Sequence, residues 1–209
     1  MNWAEVLGWA GALAVVCITL PQFFLVVRTK QTHGLALTTW VIAIGTSIGW
    51  FDHGLRLMEP VQIWPNILGL VNTAVIIYFL RRNRRFRSWT TLLPGFALGG
   101  LLVGLDWGVS SAAFGIAVIV PQAYGMIRQG IALMRAAAVT GVSISAWVAQ
   151  VANQAIWLAW SILKTEWGTG ISAAVSVVCA GFVLTWRLLR LAGIGPVLTT
   201  KPAPVVDAT

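Results

Sequence analysis

Trp50, Asn66, Asn153, Trp157 and Ser172 are the side chains whose types and positions could do chemistry in this chain of 209 residues. The chemistry they offer is recognition. A flat indole packs on C–H faces, and a neighbouring amide both donates and accepts hydrogen bonds. Covalent chemistry has no comparable set. The sequence contains no nucleophile–base pair, no paired carboxylates within an apolar run and no metal-ligand spacing, so neither an enzyme activity nor a cofactor is expected. Cys17 and Cys179 read as small core residues.

The elements that must position these side chains are apolar helices. The chain is 58% hydrophobic and 10% charged, against roughly a quarter charged in soluble domains. Mean hydropathy is +0.82. A helical span of a bilayer needs about 20 apolar residues. Seven stretches qualify as candidates, near 4–27, 36–57, 61–80, 90–106, 109–127, 142–163 and 168–189. The fold class expected is therefore an all-α polytopic membrane protein. The opening MNWAEVLGWAG lacks a basic leader and reads as a retained first span. The segment 191–209, rich in Pro and small residues, reads as a loose tail.

The formal net charge of +8 invites a nucleic-acid reading, but its distribution argues for topology. Alternating seven spans puts twelve Lys and Arg residues on one side and only Arg56 and Lys164 on the other. The positive-inside rule makes the basic side cytoplasmic, with the N-terminus outside and the C-terminus inside. The run RRNRRFR at 81–87 fits a cytoplasmic loop. A lipid bilayer is thus an expected partner and nucleic acid is not. Eleven Arg against three Lys hints at a GC-rich genome and a bacterial inner membrane.

Two Pro-Gln steps inside apolar runs belong to an internal repeat. Pro21, Gln22 and Arg28 recur as Pro121, Gln122 and Arg128, an offset of 100. Gly34, Trp40 and Trp50 recur as Gly141, Trp147 and Trp157, an offset of 107. Each copy holds three spans, over residues 1–80 and 109–190, with a basic loop and lone helix at 81–108 between them. Three spans per copy, turned once more by the lone helix, make the copies parallel. Each proline removes one helical hydrogen bond and crowds the carbonyl four residues back, Cys17 for Pro21 and Ala117 for Pro121. Pro21, Gln22, Pro121 and Gln122 are therefore candidate hinge or gating residues, with the glutamine amides able to serve the freed carbonyls.

Two three-helix repeats, each with Pro-Gln in its first helix and joined by a single helix, resemble the PQ-loop and SWEET family of small-solute transporters. Parallel repeats are a property the SWEET group is known for. The resemblance covers residues 4–190 and implies a helical bundle in a 3+1+3 order. It also implies a solute held between the repeats, alternating access, and a site lined by a Trp and an Asn from each repeat. Trp50 and Trp157 lie about seven residues inside their helices, roughly 10 Å deep, and Asn66 reaches a similar depth on the next helix. In the second copy Ser172 and Ala173 stand where an Asn is expected, with Asn153 as the nearest replacement amide. Asn72, Gln150 and Gln154 read more as interhelical glue than as site.

Proton-coupled PQ-loop proteins resemble one another in an acidic residue beside a Pro-Gln step, which neither copy carries. Facilitated movement of a neutral solute, a sugar before an amino acid, is the expectation. A receptor or sorting protein of similar fold is the alternative from another class, and a homo-oligomer is compatible with the chain. His33 and His53 are expected on opposite sides of the membrane. Asp52 and His53 are expected at a solvated helix end, and Asp106 in an outer turn.

Overall fold

A computed structural model describes residues 2–32, 35, 37–84, 89–135 and 143–195. The described residues form seven α-helices and one short 3-10 turn, with no strand among them. They are α1 (Trp3–Thr29), α2 (Leu37–Leu57), α3 (Pro60–Arg84), α4 (Leu93–Gly108), α5 (Ser111–Arg135), α6 (Ile144–Lys164) and α7 (Trp167–Leu191). The 3-10 turn, Trp89–Leu92, leads into α4.

Local sequence explains several ends. Asn2 caps α1 by accepting from the Glu5 amide at 2.9 Å, while Glu5 accepts from the Asn2 amide at 3.1 Å. Pro60 opens α3, where a missing N–H costs nothing. Ser143 caps α6 and Glu166 caps α7. Within the helices, hydroxyls turn back onto their own backbones. Thr19 donates to Val15 O at 3.0 Å and Thr46 to Ile42 O at 3.2 Å, so these two hydroxyls are not left bare in an apolar surrounding.

Five helical segments are long and apolar enough to cross a membrane: Trp3–Thr29, Pro60–Asn83, Thr90–Gly108, Ser111–Arg135 and Trp167–Leu191. Helices α2 and α6 form over the expected ranges but fall short in apolarity. The first carries Thr46, Ser47, Asp52, His53 and Arg56, and the second Gln150, Asn153, Gln154 and Ser161. Much of that polarity is turned inward: His53, Asn153 and Ser161 are buried. The basic segment expected as a loop from residue 81 begins later, because α3 continues to Arg84. Arg81, Arg82 and Asn83 extend the helix, and Asn83 Nδ2 reaches back to donate to Lys30 O at 2.8 Å and to Thr32 Oγ1 at 3.1 Å. Residues 85–88 and 196–209, with His33, Gly34 and Gly141, lie outside the described residues.

Packing follows a simple scheme. Helix α3 packs on α1 and α2, and α7 packs on α5 and α6. Helix α4 packs chiefly on α2 and also on α5, while α1 meets α6. Close approach needs glycine: a Cβ on Gly45 of α2 would stand 2.6 Å from the Gly95 carbonyl of α4. Gly115 of α5 lies as tightly against Gly168 at the start of α7.

The helices alternate in direction, so the bundle has two unlike ends. Glu5, Asp52, Glu59, Asp106 and Glu166 gather at the end where α1 begins, here the acidic end. Arg56 and Lys164 are also there, paired with Asp106 and Glu59. Trp3, Trp9, Trp64, Trp107 and Trp167 are exposed near this end, as an interfacial belt requires. Trp186 instead packs on the core around Leu133 and Val183. Cys17 is exposed on α1 rather than in the core, whereas Cys179 is buried.

Candidate functional site

A cavity of about 230 Å³ lies inside the bundle. Its walls include Trp50 from α2, Gln62 and Asn66 from α3, Gln122 from α5, Asn153 and Trp157 from α6, and Thr169 and Ser172 from α7. All five side chains expected to bind a solute are among them. Asn72 is buried but away from this wall, and Gln150 is also absent from it, whereas Gln154 takes part. Among the described residues the wall contains no Asp, Glu, Lys, Arg or His.

The lining follows the internal repeat further than the sequence reading had taken it. Trp50 and Trp157 stand at an offset of 107, and so do Gln62 and Thr169, Pro65 and Ser172, and Asn66 and Ala173. The same offset, read through α3 and α7, would have found Gln62 and Thr169. These two equivalent positions meet directly: Gln62 Nε2 donates to Thr169 Oγ1 at 2.8 Å, and both residues are buried. The two indoles are seated in a matching way. Trp50 packs edge-on to Phe114 of α5, with centroids 4.9 Å apart, and Trp157 packs on Gly11 of α1. Each ring thus rests on the first helix of the other half.

Hydrogen-bonding capacity is left over in this cavity. Asn153 is 4% exposed, and its Oδ1 has no partner among the described residues; Gln62 Oε1 is in the same state. A buried acceptor without a donor is unfavourable, and such groups are rare unless something supplies the bond. Asn66 is partly committed, because its Nδ2 donates to Gln62 O at 2.7 Å. Its Oδ1 and second N–H remain for other partners. Pro65 lies inside α3, next to Asn66, and is buried in the cavity wall. A third intrahelical proline was therefore missed by attention to Pro-Gln steps alone.

Helices α1 and α5 run unbroken through Pro21 and Pro121. Pro21 is exposed and Pro121 half-buried. Gln122 reaches the cavity, while the Gln22 side chain lies outside the described residues.

The apolar cores divide unevenly along the bundle. At the acidic end one cluster joins Ala4 of α1, Val61 of α3 and Trp160 of α6, with Trp160 only 1% exposed. Toward the basic end the clusters stay within one half. Val26, Ile76 and Leu80 pack with Leu37, Trp40 and Phe79. Met126, Leu133, Ala180 and Val183 pack with Trp147, Phe182 and Trp186.

The charged residues at the acidic end overturn one expectation. Asp52 is half-buried, accepting from Trp107 Nε1 at 2.7 Å. His53 is not at a solvated helix end: it is 0% exposed, and Asp106, within α4 rather than a turn, is 2% exposed. Helix α4 packs so closely on α2 through its glycines that the last turns of both face each other, and water is excluded between them. No protein-family model matches this chain, and no curated protein is detectably similar to it.

Proposed function

We propose that this protein is a membrane transporter that moves a small neutral solute, a sugar or sugar-like polyol, by alternating access between two parallel three-helix repeats joined by α4. The observation that carries the reading is the cavity. Among the described residues it holds two indole rings, five amide side chains and two hydroxyls, with no formal charge, and it is lined by residues from both halves. Indole faces and amides suit a solute with C–H faces and hydroxyls. A free amino acid would bring two charges into a wall with no countercharge, which favours the neutral solute. A volume of about 230 Å³ lies below the range of about 300–1,000 Å³ for drug-sized ligands and favours a single small unit.

The repeat relation supports alternating access. Equivalent positions line one cavity and touch each other through Gln62 and Thr169. The cores described above tie the halves together at the acidic end and stay separate toward the basic end, the pattern of a carrier closed on one side. The prolines in the first helix of each half are suited to let the inner segments swing. The charge distribution supports a cytoplasmic basic end and a plasma membrane location.

The test is uptake of labelled hexoses, pentoses, polyols and amino acids into liposomes holding the purified protein. Uptake of a neutral polyhydroxylated compound, lowered by Trp50→Ala and by Asn66→Ala in folded protein, is the expected outcome. Uptake confined to charged compounds, or none above empty liposomes, refutes the proposal.

A further inference from the structure

His53 sits between two carboxylates on different helices. Its Nδ1 lies 2.9 Å from Asp106 Oδ2 on α4, and its Nε2 lies 3.4 Å from Glu166 Oε2 at the head of α7. Arg56, one turn along α2, holds the same Asp106 with two bonds of 2.9 and 2.7 Å. Glu166 accepts from Ser111 Oγ of α5, from the Gly168 amide at 2.8 Å and from the Thr169 amide at 2.6 Å. The ring stacks on Phe114 of α5 at 4.5 Å and meets Trp50 edge-on at 5.7 Å.

A neutral imidazole carries one N–H and one lone pair. Nδ1 is hydrogen-bonded to Asp106, while Nε2, without a hydrogen-bond partner among the described residues, faces Glu166 at ion-pair distance; the doubly protonated ring is the state that places a cation between the two carboxylates. With the imidazolium in place, Asp106, Glu166, His53 and Arg56 sum to no net charge. Without that proton the buried group carries one uncompensated negative charge, which a desolvated site disfavours strongly. The other nearby charges do not compensate. Glu59, before α3, is already paired with Lys164 of α6, and half-buried Asp52 accepts from Trp107. From helix α5, Phe114 stacks on the ring and Ser111 binds Glu166, and from α3 Gln62 packs against Gly54 beside it. Burial pushes the Glu166 carboxyl up, but hydrogen bonds from His53, Ser111 and Thr169 outweigh it and hold the group well below the usual carboxylate range. Glu166 therefore stays ionised while a histidine titrates.

The cluster is wired to the cavity. Glu166 fixes the first turn of α7, whose Thr169 accepts from Gln62 across the two halves. Trp50, next to His53, lines the same cavity. We propose that His53 is a proton-binding site that latches the acidic end of the cavity shut, so that passage of solute responds to pH on that side. The proposal rests on the transporter reading for its use, though not for its geometry. Loss of the proton, to water at the Arg56 edge, leaves Nδ1–H on Asp106 and turns the bare Nε2 lone pair toward Glu166. The broken contact is the one between α2 and α7, which belong to different halves. The sign follows: the closed state holds the proton, so it is favoured at low pH and lost as pH rises.

The experiment uses full-length protein with Cys17→Ser and Cys179→Ala, and a single reporter, Ala173→Cys, in the cavity wall. An impermeant thiol reagent is applied from the acidic-end side between about pH 5 and 8, where histidine changes charge and carboxylates do not. Thiol ionisation is corrected with an exposed cysteine at Thr165. The corrected labelling rate should rise with pH, by at most about tenfold per pH unit, the limit for one proton. His53→Gln should give the fast rate at all pH values, and His33→Gln should keep the wild-type profile. A flat profile in the reporter protein with His53 intact overturns the proposal, whether or not His53→Gln folds. A rising profile in a protein that moves no solute in liposomes sinks the transporter reading and leaves the proton latch standing.

Discussion

Asn153→Ala separates a binding cavity from a bundle that merely contains polar glue. Asn153 is 4% exposed in the wall of the cavity, and its Oδ1 has no partner among the described residues. If that oxygen awaits a donor from the solute, its removal leaves a hydroxyl of the bound solute unpaired in a dry site. The cost is about 1–3 kcal/mol, or about 5- to 100-fold in affinity at 1.4 kcal/mol per tenfold. The unliganded protein should respond in the opposite way. Removing a buried acceptor that has no partner relieves a desolvation cost, so the melting temperature in detergent should stay the same or rise. Binding is read by calorimetry with the solute that the uptake panel selects, and stability by thermal unfolding without it. A variant that melts lower yet binds with native affinity refutes the reasoning, because Asn153 would then be holding helices together and not meeting solute.

Pro21→Ala and Pro121→Ala should leave both helices intact, since α1 and α5 already run through these positions, and should slow solute exchange; native rates in both variants would make the prolines static features. Gly115→Val should lower the melting temperature through a loss of roughly 1–3 kcal/mol, because its side chain meets the Gly168 carbonyl of α7. Gly100→Ala, with nothing within 4 Å of the added carbon, is the control, and equal melting of the two variants would refute the tight α5–α7 approach. On the proposed orientation Ser88 is cytoplasmic and Thr165 outside, so in intact cells an impermeant reagent should label Thr165→Cys and not Ser88→Cys; the reverse pattern would invert the orientation.

The sequence by itself determined the helices and much of the cavity. Apolar runs and their charged ends are properties of neighbours along the chain, so the seven helices appear close to where hydropathy puts them. The offset of 107 is likewise a one-dimensional signal. It paired Trp50 with Trp157 and pointed to Ser172 and Ala173 opposite Asn66, and the bundle gathers all of them on one wall. Gln62 and Thr169 obey the same offset and were passed over because neither is unusual on its own. The acidic-end cluster was different in kind. His53 and Asp106 are 53 residues apart and Glu166 lies farther along still, and each is a single ionisable residue near the end of an apolar run. In sequence such residues are indistinguishable from solvated helix ends. The repeat offers no help, because the position equivalent to His53 is Trp160. Only the close packing of α4 on α2 through glycine, and of α7 on α5, brings the three together and removes the water between them. Burial is what turns three ordinary charges into one coupled group, and burial is decided by tertiary contact.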